Sequence, residues 1–101
     1  MMKVYTVYSW VVKRGHGKEF VAAWQNFAKW IARQEGSTGS TWLFKDTIDP
    51  AHYISVDAWK EEKASKTVRK GVEFGRQYYK LQQLTDNFSS WTLQLEAKQE
   101  A

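Results

Sequence analysis

Residues 52–59 read HYISVDAW, and the fold turns on how this stretch is read. In an extended chain Ile54, Val56 and Ala58 fall on one side, and Tyr53, Ser55, Asp57 and Trp59 on the other. A strand with one face in water has no reason to place Tyr and Trp on its polar side. The segment therefore predicts a strand that is covered on both faces. Residues 3–12, KVYTVYSWVV, point the same way. There Val4, Thr6, Tyr8, Trp10 and Val12 alternate with Tyr5, Val7, Ser9 and Val11, and neither side is polar.

Outward from these two strands the pattern changes character. KRGHG (13–17) is a turn, and from Lys18 to Glu35 the apolar period becomes helical, with Phe20, Trp24, Phe27 and Ile31 in one stripe. Lys18, Gln25, Lys29 and Arg33 lie opposite, and Gly36 stands where a left-handed cap is wanted. TWLFKD (41–46) predicts a further strand, and TIDPA (47–51) turns it into HYISVDAW, giving a hairpin. A second helix is predicted from about Lys60 to Leu81, and FSSWTLQLEA (88–97) makes the last strand, with Trp91, Leu93 and Leu95 on one side.

The order β-α-β-β-α-β, with short right-handed connections, predicts an α+β, ferredoxin-like domain spanning residues 1–101. It has a four-stranded antiparallel sheet with both helices on one face. Two helices cover one face only, while strands one and three are apolar or aromatic on both. The uncovered face calls for another cover, and a second copy of the chain, giving a homodimer through sheet faces, supplies it.

The second helix carries an anomaly. Its expected inward arc holds Ala64, Thr67, Val68, Gly71, Val72, Phe74, Gly75, Tyr78 and Tyr79. A mid-helix Gly is about 1 kcal/mol less favourable than Ala. Gly71 and Gly75 therefore leave three readings open: a close approach of helix to sheet, a hollow for a flat molecule, or a break in the helix. Lys63, Lys66, Arg69, Lys70, Arg76 and Lys80, with Glu73 among them, read as the solvated arc, with an anion-binding stripe as the alternative.

With 101 residues, six Trp, five Tyr, five Phe and no Cys, the chain has a small aromatic core and no thiol chemistry. No apolar run is long enough to span a membrane, and no signal-peptide pattern opens the chain, so the expectation is a cytoplasmic protein without a membrane partner. The net charge of +4 raises the question of nucleic acid. RNA-recognition modules share this element order, and Tyr8, Trp10, Tyr53 and Trp59 would be their stacking residues. Strand three lacks the basic, Gly-containing opening of that motif and places Asp57 where phosphates would lie, so no nucleic acid is expected. His16 and His52 have no spaced metal-binding partners. GHGK is no phosphate loop, and a Ser-His-Asp set has its residue types but no motif.

Three stretches carry a family likeness: TVYSWVVKRGHGKEFVAAW (6–24), QEGSTGSTWLFKD (34–46) and DPAHYISVDAWKEEKAS (49–65). In order and spacing they resemble the antibiotic biosynthesis monooxygenase domain of the dimeric α/β barrel superfamily, over about residues 3–95. The resemblance implies two subunits packed sheet to sheet, each with a pocket between sheet and helices. In the branch that oxidises aromatic polyketides without metal or flavin, an Asn four residues before a strand-ending Trp acts with that Trp. Here Trp59 matches the Trp, and Ser55 stands at the Asn position. The haem-degrading branch uses an Asn on strand one, which falls near Tyr8, and a Trp and His on helix two, which residues 68–78 lack. A His that many members carry nine residues after the strand-ending Trp is replaced by Val68.

The resulting expectation is a monooxygenase that needs no cofactor and acts on an aromatic or quinol-like small molecule. Asp57 would be the base in a hydrophobic pocket, with Ser55 as its hydrogen-bonding partner and Trp59 beside them. Tyr8 would be an alternative base. Tyr8, Trp24, Phe27, Phe74 and Tyr78 would line the substrate site. The plainer reading pairs Asp57 with a Lys at the sheet edge and leaves Trp59 in the core. The alternative function is a non-catalytic small-molecule-binding or accessory protein of the same superfamily.

Overall fold

Residues 3–101 are described by a computed structural model of the chain. Seven elements follow one another: β1 (Val4–Val12), α1 (Gly17–Ala32), β2 (Ser37–Lys45), β3 (His52–Trp59), α2 (Glu62–Arg69), α3 (Val72–Gln82) and β4 (Thr85–Gln94). The four strands form one antiparallel sheet in the order β2-β3-β1-β4. This is the ferredoxin-like order, with the two strands that are apolar on both sides at its centre.

Register settles which face each side chain takes. Val4 pairs with Trp59, Thr6 with Asp57, Tyr8 with Ser55 and Trp10 with Tyr53. All eight are buried, and they share the face covered by the helices. The apparently polar side of HYISVDAW is therefore the inner side. Asp57 and Ser55 sit inside because the aromatic residues flanking them take that face inward.

The opposite face carries Tyr5, Val7, Ile54 and Val56 at its centre and is bordered by Trp42, Phe44, Trp91 and Leu93. These last four are 43–54% exposed. None of the described residues covers this surface.

The second helix is not continuous. It breaks at Lys70 and Gly71, where Gly71 takes an extended conformation (φ −73°, ψ 151°) as the N-cap of α3. The break resets the helical phase. In α3 the inward residues are Phe74, Tyr78 and Leu81, whereas Val72 is 86% and Tyr79 58% exposed, contrary to the continuous arc. Gly71 and Gly75 are both exposed, and a methyl group on Gly75 would meet nothing within 4 Å. They do not hollow out the interior. Gly36 carries a firmer demand: its φ is +86°, and a Cβ there would collide with Ala64 of α2. Its carbonyl also accepts a hydrogen bond from the Lys60 amide at 2.8 Å, tying the end of α1 to the start of α2.

Candidate functional site

Asp57 is the centre of the inner face. It is 1% exposed, and its Oδ2 has no hydrogen-bond partner among the described residues. Burial pushes its carboxyl up from 3.8 to about 7, against the pull of the Tyr8 phenol and the Arg69 charge. No Lys pairs with it. The Tyr8 phenol is driven well above its usual range by burial and then by the Asp57 charge. A phenol so placed keeps its proton, so of the two groups only Asp57 can accept one near neutrality.

Ser55 and Trp59 flank Asp57 on the same strand, and both hydroxyl and indole are engaged elsewhere. Trp10 Nε1 donates to Ser55 Oγ at 2.9 Å, and Trp59 Nε1 donates to Thr6 Oγ1 at 3.1 Å. Thr6 Oγ1 in turn lies 3.1 Å from Ser65 Oγ of α2. These bonds satisfy two buried indoles and fasten α2 to the sheet. Ser55 is thus the partner of Trp10, with no bond to Asp57.

Tyr8, Phe27, Phe74 and Tyr78 meet in one aromatic cluster. Tyr8 and Tyr78 have ring centroids 5.8 Å apart, Phe74 and Tyr78 5.2 Å, and Phe27 and Phe74 5.9 Å. Trp24 is buried in α1, its Nε1 without a protein partner, and makes no ring pair with this cluster. Beside the cluster the structure places a residue that the sequence assigned to solvent. Arg69, the last residue of α2, turns inward, with its guanidinium carbon 5.6 Å from the Tyr8 ring and 5.3 Å from the Phe74 ring. Its Nη2 donates to Ser90 Oγ at 3.0 Å, while Nη1 is buried without a protein partner. The signal for Arg69 was present: once the helix ends before Gly71, Ser65, Val68 and Arg69 form one stripe.

The inner space between sheet and helices is filled by these side chains. An opening of about 910 Å³ lies instead on the outer side, where the end of α1 meets α2 and α3. Trp30, Val68 and Phe74 are among its apolar walls, and Lys60, Lys63, Glu35 and Glu73 are at its margins. Phe74 also belongs to the inner cluster. Among the described residues no group of three or more His, Asp or Glu could hold a metal ion. No helix is long and apolar enough to cross a membrane.

One further chain of side chains forms on the open face. Ser9 Oγ lies 3.0 Å from His52 Nε2, and His52 Nδ1 lies 3.1 Å from Asp46 Oδ2. Asp46 also accepts from the Ile48 and Asp49 amides, which lowers its carboxyl to about 2. Ser9 is mid-strand, paired to Ile54 and Ser89. This chain fastens the β2–β3 turn to β1.

No family model matches the chain, and no curated protein matches it. Solved structures do. SnoaB, a cofactor-independent oxygenase from Streptomyces nogalater, superposes with a TM-score of 0.80 at 21% identity, over 99% of this chain and 97% of that one. The fold is that of the antibiotic biosynthesis monooxygenases. A candidate antibiotic biosynthesis monooxygenase from Bordetella bronchiseptica superposes with a TM-score of 0.83 at 14% identity, over 98% of this chain and all of that one. Another from Deinococcus radiodurans gives 0.79 at 14% identity, over 97% and 95% of the two chains. The likeness runs through nearly the whole length of the chain.

Proposed function

We propose that the protein is a cofactor-independent monooxygenase acting on an electron-rich aromatic or quinol-like small molecule, with Asp57 as the proton acceptor. The observation that carries this reading is a carboxyl poised at about 7 with a free oxygen among aromatic side chains. A base with its pKa near the working pH both holds and releases a proton readily. Removal of a ring-hydroxyl or benzylic proton yields an electron-rich anion that reduces dioxygen itself. For an anthrone-type CH2 group, one oxygen atom becomes the new carbonyl and the other leaves as water, and the substrate supplies all four electrons. The likeness to SnoaB supports this chemistry.

The protein acts, in this reading, as a homodimer joined through the open sheet face. The half-exposed Trp42, Phe44, Trp91 and Leu93 around the apolar strand centres support that arrangement.

Oxygen uptake by metal-free protein with an anthrone tests the chemistry. Wild type is expected to turn over with a rate that rises with pH around 7. Asp57→Asn is expected to slow it at least about tenfold, or roughly 1.4 kcal/mol of barrier. No uptake above background with anthrones or dihydroxyarenes, or an unchanged rate in Asp57→Asn, refutes it. The second reading, a binding protein without turnover, is favoured by the filled interior and by the structural bonds of Ser55 and Trp59. Its ligand would occupy the outer cleft, and ligand binding without oxygen uptake would establish it.

A further inference from the structure

Arg69 stands out because it has no ion-pair partner among the described residues. A guanidinium removed from water ordinarily pairs with a carboxylate or fills its donors with carbonyls. Among the described residues no carboxylate lies within 4 Å of it. Ser90, which is neutral, takes Nη2, and Nη1 is buried and free. Asp57 is too far for an ion pair, and below about pH 7 it is neutral. The site therefore carries one uncompensated positive charge held between two aromatic rings.

We propose that Arg69 is the anion-binding group of this site and that the ligand is an aromatic acid, its carboxylate on Nη1 and its ring against Phe74. The inference deepens the oxygenase reading, on which only the choice of an aromatic ring rests. Two further observations support it. Arg69 presents a planar fork whose geometry matches a carboxylate, as a Lys would not. Its neighbour Phe74 also lines the outer cleft, so the ring on which the guanidinium stacks is the wall a ligand in the cleft meets. Arg69 does not itself line the cleft, and in this proposal a rotation of Phe74 beside the α2–α3 break would join the two. Arg69 is thus a determinant of which molecule enters, while Asp57 decides what happens to it.

The test is binding, read separately from turnover. 2-Naphthoate and its neutral isostere 2-naphthamide are titrated calorimetrically into the whole protein. Wild type is expected to prefer the acid by about tenfold or more. Arg69→Met, which keeps the apolar stem, is expected to bring the ratio close to one with naphthamide binding little changed. Lys63→Met, at the cleft margin, is expected to leave the ratio intact. Equal affinities in wild type, a preference that survives Arg69→Met, one that falls as far in Lys63→Met, or binding of neither compound up to about 1 mM each overturn the proposal. Should Arg69→Met not fold, the side-chain nitrogen-15 signals of the buried arginine in wild type decide: they shift with naphthoate and not with naphthamide, or the proposal fails. Acid-selective binding without oxygen uptake would leave this inference standing and remove the oxygenase reading. Turnover without acid selectivity would do the reverse.

Discussion

Asp57→Asn should make the protein more stable, and by an amount that depends on pH. In the unfolded chain the carboxyl titrates near 3.8, and in the native interior near 7. Between these values the native state holds a proton that the unfolded state has released. Stability then falls as pH rises, because unfolding is favoured wherever the unfolded state binds fewer protons. The contribution of this group is fully present below about pH 4 and is lost as pH climbs through 7. The window is roughly three pH units, and each unit corresponds to about 1.4 kcal/mol, giving about 4 kcal/mol in all. For a domain whose whole stability is on the order of 5–15 kcal/mol, that is a large share. Asn cannot ionise, so the stability of the variant minus that of wild type should grow by about 4 kcal/mol between pH 4 and pH 8. Urea unfolding of both proteins at several pH values measures it, and taking the difference cancels every other titrating group. A difference that is flat over this range, or that shrinks with rising pH, would show that Asp57 is ionised and hydrated in the native protein. Asp57 would then not be the base.

Four further outcomes follow from the packing. Ser55→Ala strips the acceptor from a buried indole and should destabilise by about 1–3 kcal/mol in urea unfolding, with ligand affinity retained. Gly75→Ala, on an exposed helical position with open space around it, should raise the thermal midpoint by removing a helix penalty of up to about 1 kcal/mol. Gly36→Ala should lower the midpoint instead, since it meets both a left-handed backbone and Ala64. Trp91→Lys, on the open face, should convert a sedimenting dimer to monomer without unfolding it; an unchanged sedimentation coefficient would place the interface elsewhere.

The strands and their order were legible in the sequence because alternation and β-branched content are local signals, and HYISVDAW and KVYTVYSWVV carry them strongly. Legible too was the apolar character of both faces of the two central strands. The inner face of β3 was not, since one side is aliphatic and the other aromatic, either could be core, and only the pairing of Thr6 with Asp57 and Tyr8 with Ser55 separates them. The break at Gly71 stayed one of three open readings for a related reason: Gly71 and Gly75 are four apart, a spacing that one helix or two short ones satisfy equally. Arg69 was lost with it. Read in one continuous helix it shares an arc with Lys66 and Lys70, and only a helix that stops at Arg69 turns it toward Tyr8. Hydrogen-bond partners such as Ser55 with Trp10, and Thr6 with Ser65, depend on residues 45 and 59 positions apart and leave no mark on local pattern.

The short helix α2 has a consequence for the exchange of amide protons with solvent. Eight residues are too few to hold a helix without support from its neighbours. The inward ties of α2 are Ser65 on Thr6 and the side chain of Arg69. Thr6 sits directly across the ladder from Asp57. When α2 lifts away, water reaches the carboxyl, and its reason for holding a proton disappears. Lifting of the helix and release of that proton are then one thermodynamic event. The amides of α2 should therefore exchange faster than those of β1 and β3, and the free energy of that opening should fall as the buffer is made more alkaline.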